Sequence, residues 1–98
     1  MTYKMTNIEI PEMDRKYKHF KGGEYRVINL PVDANFNDGR LAVEYTNLDE
    51  ISKNPIGTIF VSSLERFCGY KVIEEDFTNY DGKKLMKGEK VKRFTKIE

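Results

Sequence analysis

The chain has 98 residues, 39% of them hydrophobic and 34% charged, with a formal net charge of +1. That is room for one domain with a thin core and too ordinary a mixture for a disordered chain. No apolar run approaches the ~20 residues of a bilayer span, no hydrophobic h-region opens the chain, and a lone cysteine, Cys68, excludes an internal disulfide, so a cytoplasmic, reducing setting is expected.

In chain order, residues 1–16 read as an N-terminal arm and 17–98 as a single domain. Within the arm, Thr6 to Ile10 could form an edge strand that Pro11 ends. "GEYRVINL", Gly23 to Leu30, is a strand by its β-branched and aromatic content, and Gly22-Gly23 marks a turn with positive φ before it. Its apolar pattern changes face between Val27 and Ile28, so either both faces are covered or a bulge lies there. "NDG" at Asn37 to Gly39 is a turn signal. "RLAVEYTN" alternates cleanly, with Leu41, Val43 and Tyr45 on one face and Ala42, Glu44 and Thr46 on the other. "LDEISKNP" is too short and broken for a helix, and Asn54-Pro55 marks a turn. "GTIFVS" is the next strand. "SLERF" is one helical turn, capped by Ser63, with Leu64 and Phe67 three apart on one face. "GYKVIEE" is a strand, Asp81-Gly82 turns the chain, and "VKRFTKI" is the last strand.

This order predicts a mainly β protein: a small antiparallel, SH3-like barrel of five to six strands with one short helical turn. Curling would cover the strand edges and give so short a chain one core. The expected core contains Val27, Ile28, Leu41, Val43, Ile59, Val61, Leu64, Phe67, Val72 and Phe94.

Charge is unevenly spread. Lys83 to Glu98 carries seven Lys or Arg against two Glu, and Asp33 to Glu50 carries five acids against one Arg. A basic tail can meet phosphate or RNA, or it can be a solvated strand edge whose lysines discourage aggregation.

Three blocks, "YKHFKGGEYRV", "FVSSLERF" and "VKRF", are similar to those of a family of short bacterial and phage proteins, domain of unknown function sixteen fifty-three. Tyr17, His19, Phe20, Lys21, Gly22, Tyr25 and Val27 carry the first block, Val43 and Tyr45 a second. Val61, Leu64, Glu65 and Phe67 carry a third, and Val91, Arg93 and Phe94 the last. Phe60 stands where the family has Trp, Ser62-Ser63 where it has Arg-Pro, and Lys92 where it has the closing Pro. The resemblance implies a small barrel and brings no activity with it.

The chemistry is sparse. His19 is the only histidine, and one His with one Cys cannot build a structural zinc site. Cys68, between Phe67 and a strand, reads as an inert buried thiol. "KGGE" lacks the downstream Lys-Ser/Thr of a phosphate loop. No catalytic residue, metal or cofactor is therefore expected. The set Tyr17, His19, Lys21, Tyr25, Tyr45 and Phe60 is more polar than a pure core requires. It is the candidate ligand-binding face, since bases stack on aromatic rings while Lys and Arg meet phosphates. The expected function is a non-enzymatic binding module for a nucleotide-like ligand or single-stranded nucleic acid. The alternative is a protein-interaction or inhibitor module, such as a phage counter-defence protein that sequesters a signal or blocks a host protein. A homodimer would give a shallow face a cover.

Overall fold

The structure is a computed structural model and describes residues 10–50 and 53–98. The strand foreseen at Thr6 to Ile10 lies almost wholly outside these residues. At the start of the domain, β1 (Lys16–His19) folds back on β2 (Glu24–Asn29) with Tyr17 opposite Tyr25. The hairpin needs its two glycines: Gly22 and Gly23 have φ of 100° and 86°, a region that side chains disfavour. Gly22 also backs onto Tyr80, whose Cβ lies 3.3 Å from where a Cβ on Gly22 would sit.

β3 (Ala42–Asn47) pairs with β2, and β4 (Ile59–Ser63) pairs with β3, both antiparallel. The register of β2 on β3 shifts between Val27 and Asn29. This is the bulge that the face change at Val27-Ile28 announces. It turns Ile28 outward, to 38% exposure, while Val27 is fully buried.

The chain then makes α1 (Leu64–Cys68), too short to stand by itself. It is held at its start by the Ser63 hydroxyl, which accepts from the Arg66 amide at 3.2 Å, and from below by buried Leu64 and Phe67. Such a cap stabilises by ~1 kcal/mol, and burying each of the two side chains by ~1.5–3 kcal/mol. Beyond it, β5 (Tyr70–Val72) pairs with β8 (Lys90–Lys92), and β6 (Phe77–Thr78) with β7 (Lys84–Leu85), as separate two-stranded ladders. "VKRFTKI" is two strands, because the chain changes partners at Arg93. The Arg93 amide donates to Gly69 and its carbonyl accepts from Phe20. After it, β9 (Phe94–Lys96) pairs with β1.

The main sheet therefore runs β4-β3-β2-β1-β9, all antiparallel. The mainly β class and the single short helix agree with the sequence. Among the described residues no pairing joins β4 to β9, and no closed barrel is found. The ladder β6–β7 was not foreseen, since each of its strands is only two residues long.

The core is aromatic. Tyr17, Tyr25, Val27, Val43, Leu64, Phe67 and Phe94 form one cluster, and the Phe67 and Phe94 rings stack 4.2 Å apart. Four expected core residues are exposed instead: Ile28 by the bulge, Ile59 (61%), Val61 (64%) and Val72. In β4 the cause is register. Phe60 lies opposite Tyr45 and Ser62 opposite Val43, so the alternation sends Ile59 and Val61 to the outer face. In β5 it is the neighbour, Ile73, that is buried.

Among the described residues one polar side chain, that of Asn47, is wholly buried. The Asn47 amide donates to the carbonyls of Asp49, Asn54 and Pro55, and its oxygen accepts from the Thr58 amide. It thereby pins the connection that leads into β4. The domain also begins earlier than residue 17. Pro11 is buried, the Glu12 amide donates to the Tyr17 hydroxyl, and the Asp14 amide donates to Val27 at 2.7 Å.

Candidate binding site

Antiparallel pairing collects side chains from distant parts of the chain. Tyr25 on β2, Tyr45 on β3 and Phe60 on β4 sit side by side on the core face. Their rings contact one another, with Tyr45 and Phe60 stacked at 5.4 Å and Tyr25 edge-on to both. His19, at the end of β1, lies edge-on to Phe94 at 5.0 Å. Together these line a pocket of about 150 Å³, which Ser62, Arg66 and Arg93 complete.

Four of the six expected residues thus meet in one pocket: His19, Tyr25, Tyr45 and Phe60. Tyr17 does not. It is buried in the core, edge-on to Phe67 at 5.4 Å. Lys21 points elsewhere, to a larger cleft of about 590 Å³ between the β1–β2 turn and residues 71–80. That cleft is of mixed charge and much of it is already engaged. Lys71 pairs with Glu74 at 3.2 Å, and the Asp76 carboxylate accepts from the Lys87 amide at 2.7 Å.

Arg66 and Arg93 were not foreseen as site residues. Arg66 follows Ser63 on α1, and Arg93 stands between β8 and β9. The β5–β8 pairing, the Arg93 amide bond to Gly69 and the stacking of Phe94 on Phe67 bring the two segments to one place. The available signal was the "VKRF" block, read as strand alone. Among the described residues neither arginine forms an ion pair, whereas Arg15, Arg40, Lys16, Lys71 and Lys96 each do.

The electrostatics suit an anion. His19 is pushed down to about 4 by burial first, then by the positive charges of Lys21 and Arg93, so its ring is neutral at pH 7. Its Nδ1 accepts from the Lys21 amide at 3.1 Å, which leaves the proton on Nε2. A backbone amide, rather than a carbonyl, thus fixes the orientation of the ring. Burial raises the phenols of Tyr25 and Tyr45. Asp49 adds to the effect at Tyr25; at Tyr45, Tyr25 adds to it and Arg66 opposes it. Both hydroxyls remain protonated donors at neutral pH.

The acidic stretch 33–50 is partly spent inside the fold. The Asp38 carboxylate binds Arg40 at 2.7 Å, and Asp49 accepts from the Glu24 amide at 2.9 Å. Cys68 is half-buried. Among the described residues no group of three or more His, Cys, Asp or Glu is placed to hold a metal ion, and no helix is long and apolar enough to cross a membrane. Comparison with protein-family models, with curated proteins and with solved structures finds no match.

Proposed function

We propose that the protein is a non-enzymatic binding module for a nucleotide-like anion, free or at the end of a single strand. One observation carries this reading: two arginines without carboxylate partners among the described residues converge on a wall of Tyr25, Tyr45, Phe60 and Phe94. Guanidinium groups take phosphate oxygens in a planar fork, and aromatic faces take bases whatever their sequence. A pocket of about 150 Å³ is smaller than the ~300 Å³ at which whole-ligand pockets begin. It suits a part of the ligand, a base or a phosphate, with the remainder along the surface.

The test is calorimetry with a panel of mononucleotides, and fluorescence anisotropy with short labelled single strands. Arg66→Gln and Arg93→Gln should each weaken binding by ~10-fold or more, with melting temperature nearly unchanged. Steep salt dependence would mark backbone contacts to a strand. Absence of binding to every probe at roughly 1 mM would end this reading.

We also infer a small barrel of the SH3 type that is incompletely closed and leaves the β4 edge free, related to the unknown-function family and acting in the cytoplasm. In support, Tyr17, Tyr25, Val27, Val43, Phe67 and Phe94, all from the resembling blocks, lie in one core cluster. An experimental structure in which the main sheet lies flat instead of curling around the aromatic cluster would remove the barrel part.

A further inference from the structure

We propose that β4 is a self-pairing edge, and that two copies of this chain join through it into one continuous antiparallel sheet. The evidence begins with hydrogen-bond phase. The Ala42 amide donates to Pro31 on the β2 side, while the Asn47 carbonyl accepts from Gly57 on the β4 side. Backbone groups alternate along a strand, so Val43 and Tyr45 face β4, and their partners Ser62 and Phe60 face back. The N–H and C=O groups of Ile59 and Val61 then point away from the sheet. Among the described residues no strand takes them.

Among the described residues the edge carries none of the usual protection. Ile59 to Ser63 holds no charge, no proline and no bulge, and protected edges normally have at least one of these. Overlap of all five residues in an antiparallel pair places Val61 against the partner's Val61 on a two-fold axis. Both have outward backbone groups, so the two can exchange a closed pair of hydrogen bonds. Ile59 then lies opposite the partner's Ser63, also in phase.

The second copy matters to the pocket as well. On the core face this register sets Phe60 opposite the partner's Ser62, and Ser62 opposite the partner's Phe60. Both residues line the 150 Å³ pocket. Two pockets that are each small for a whole nucleotide become neighbours across one strand boundary, and each copy adds an aromatic ring to the other's site.

The experiment is sedimentation velocity of the full chain without ligand, over roughly 1–200 µM. The wild type should reach dimer mass. Val61 is 64% exposed, so Val61→Lys and Val61→Glu should fold, as circular dichroism would verify. Each variant alone sets like charges against each other on the axis and should stay monomeric. An equimolar mixture of the two should recover the dimer. A wild type that stays monomeric over the whole range overturns the proposal, as does a dimer that neither charge disturbs. The measurement uses no ligand, so its failure leaves the pocket reading standing. Conversely, Arg93→Gln should weaken nucleotide binding and leave the dimer intact.

Discussion

The two edges of the main sheet are built on opposite plans. β9 is three residues long and charged. Lys96 pairs with Glu12, which the ion pair holds below the usual carboxylate range, and Lys16 beside it pairs with Glu98 at 3.1 Å. Its place is secured by one inward ring, Phe94, stacked on Phe67. β4 is five residues long and uncharged, with Ile59 and Val61 turned to solvent. One edge is sealed by charge and anchored by a single aromatic; among the described residues nothing pairs with the other. A strand edge is a row of donors and acceptors, and what flanks that row decides whether another chain can use it.

The contrast can be broken most forcefully at the anchor of β9. Phe94→Ala should cost about 3–5 kcal/mol, a large part of the ~5–15 kcal/mol that holds a domain of this kind. Urea denaturation would measure it, and a loss below ~1 kcal/mol would mean that β9 is held by something other than its ring. Next comes the anchor of β4. Asn47→Ala removes a donor shared by the Asp49, Asn54 and Pro55 carbonyls and an acceptor of the Thr58 amide, although Pro55 and Thr58 still bond each other, and should cost about 2–3 kcal/mol. Hydrogen exchange should quicken first at Thr58 and Phe60. Uniform quickening over all five strands would show that Asn47 supports the whole sheet rather than this edge.

A smaller effect belongs to pH. The folded state keeps His19 neutral down to about 4, while the unfolded chain takes a proton near 6.5. Between these values the unfolded state binds more protons, so stability falls as pH drops through the window and levels off below it. His19→Gln should flatten that stretch of the melting-temperature curve and leave the acid limb below pH 4, where carboxylates such as Glu12 and Asp38 lose their partners. An unchanged slope from 6.5 to 4 would place the ring in water. The smallest change is expected on the outer face of β4, where Ile59→Ser should stay within ~0.5 kcal/mol of wild type. A cost of 2 kcal/mol or more, on the scale of ~2–5 for a truncated core residue, would mean that the strand faces the other way.

Much of the local architecture was legible in the residues. Period-two patterning marked β3, the glycine pair marked the first hairpin, Ser63 with Leu64 and Phe67 marked α1, and the face change at Val27-Ile28 marked the bulge. Half of the pocket was legible too, because Tyr25, Tyr45 and Phe60 are large rings within strands. What misled was a strand apolar on both faces. In Ile59-Phe60-Val61 either alternation satisfies propensity, and β-branched residues suit an outer face as well as an inner one.

The amino-acid sequence by itself determined where strands begin, where the chain turns and which segment makes one helical turn, because these depend on neighbours a few residues apart. Only the tertiary structure decided which face of β4 looks inward, that Tyr17 belongs to the core, and that Arg66 and Arg93 meet. Those outcomes depend on register and on which strands pair across long separations, and one residue of slip exchanges every side chain between core and solvent.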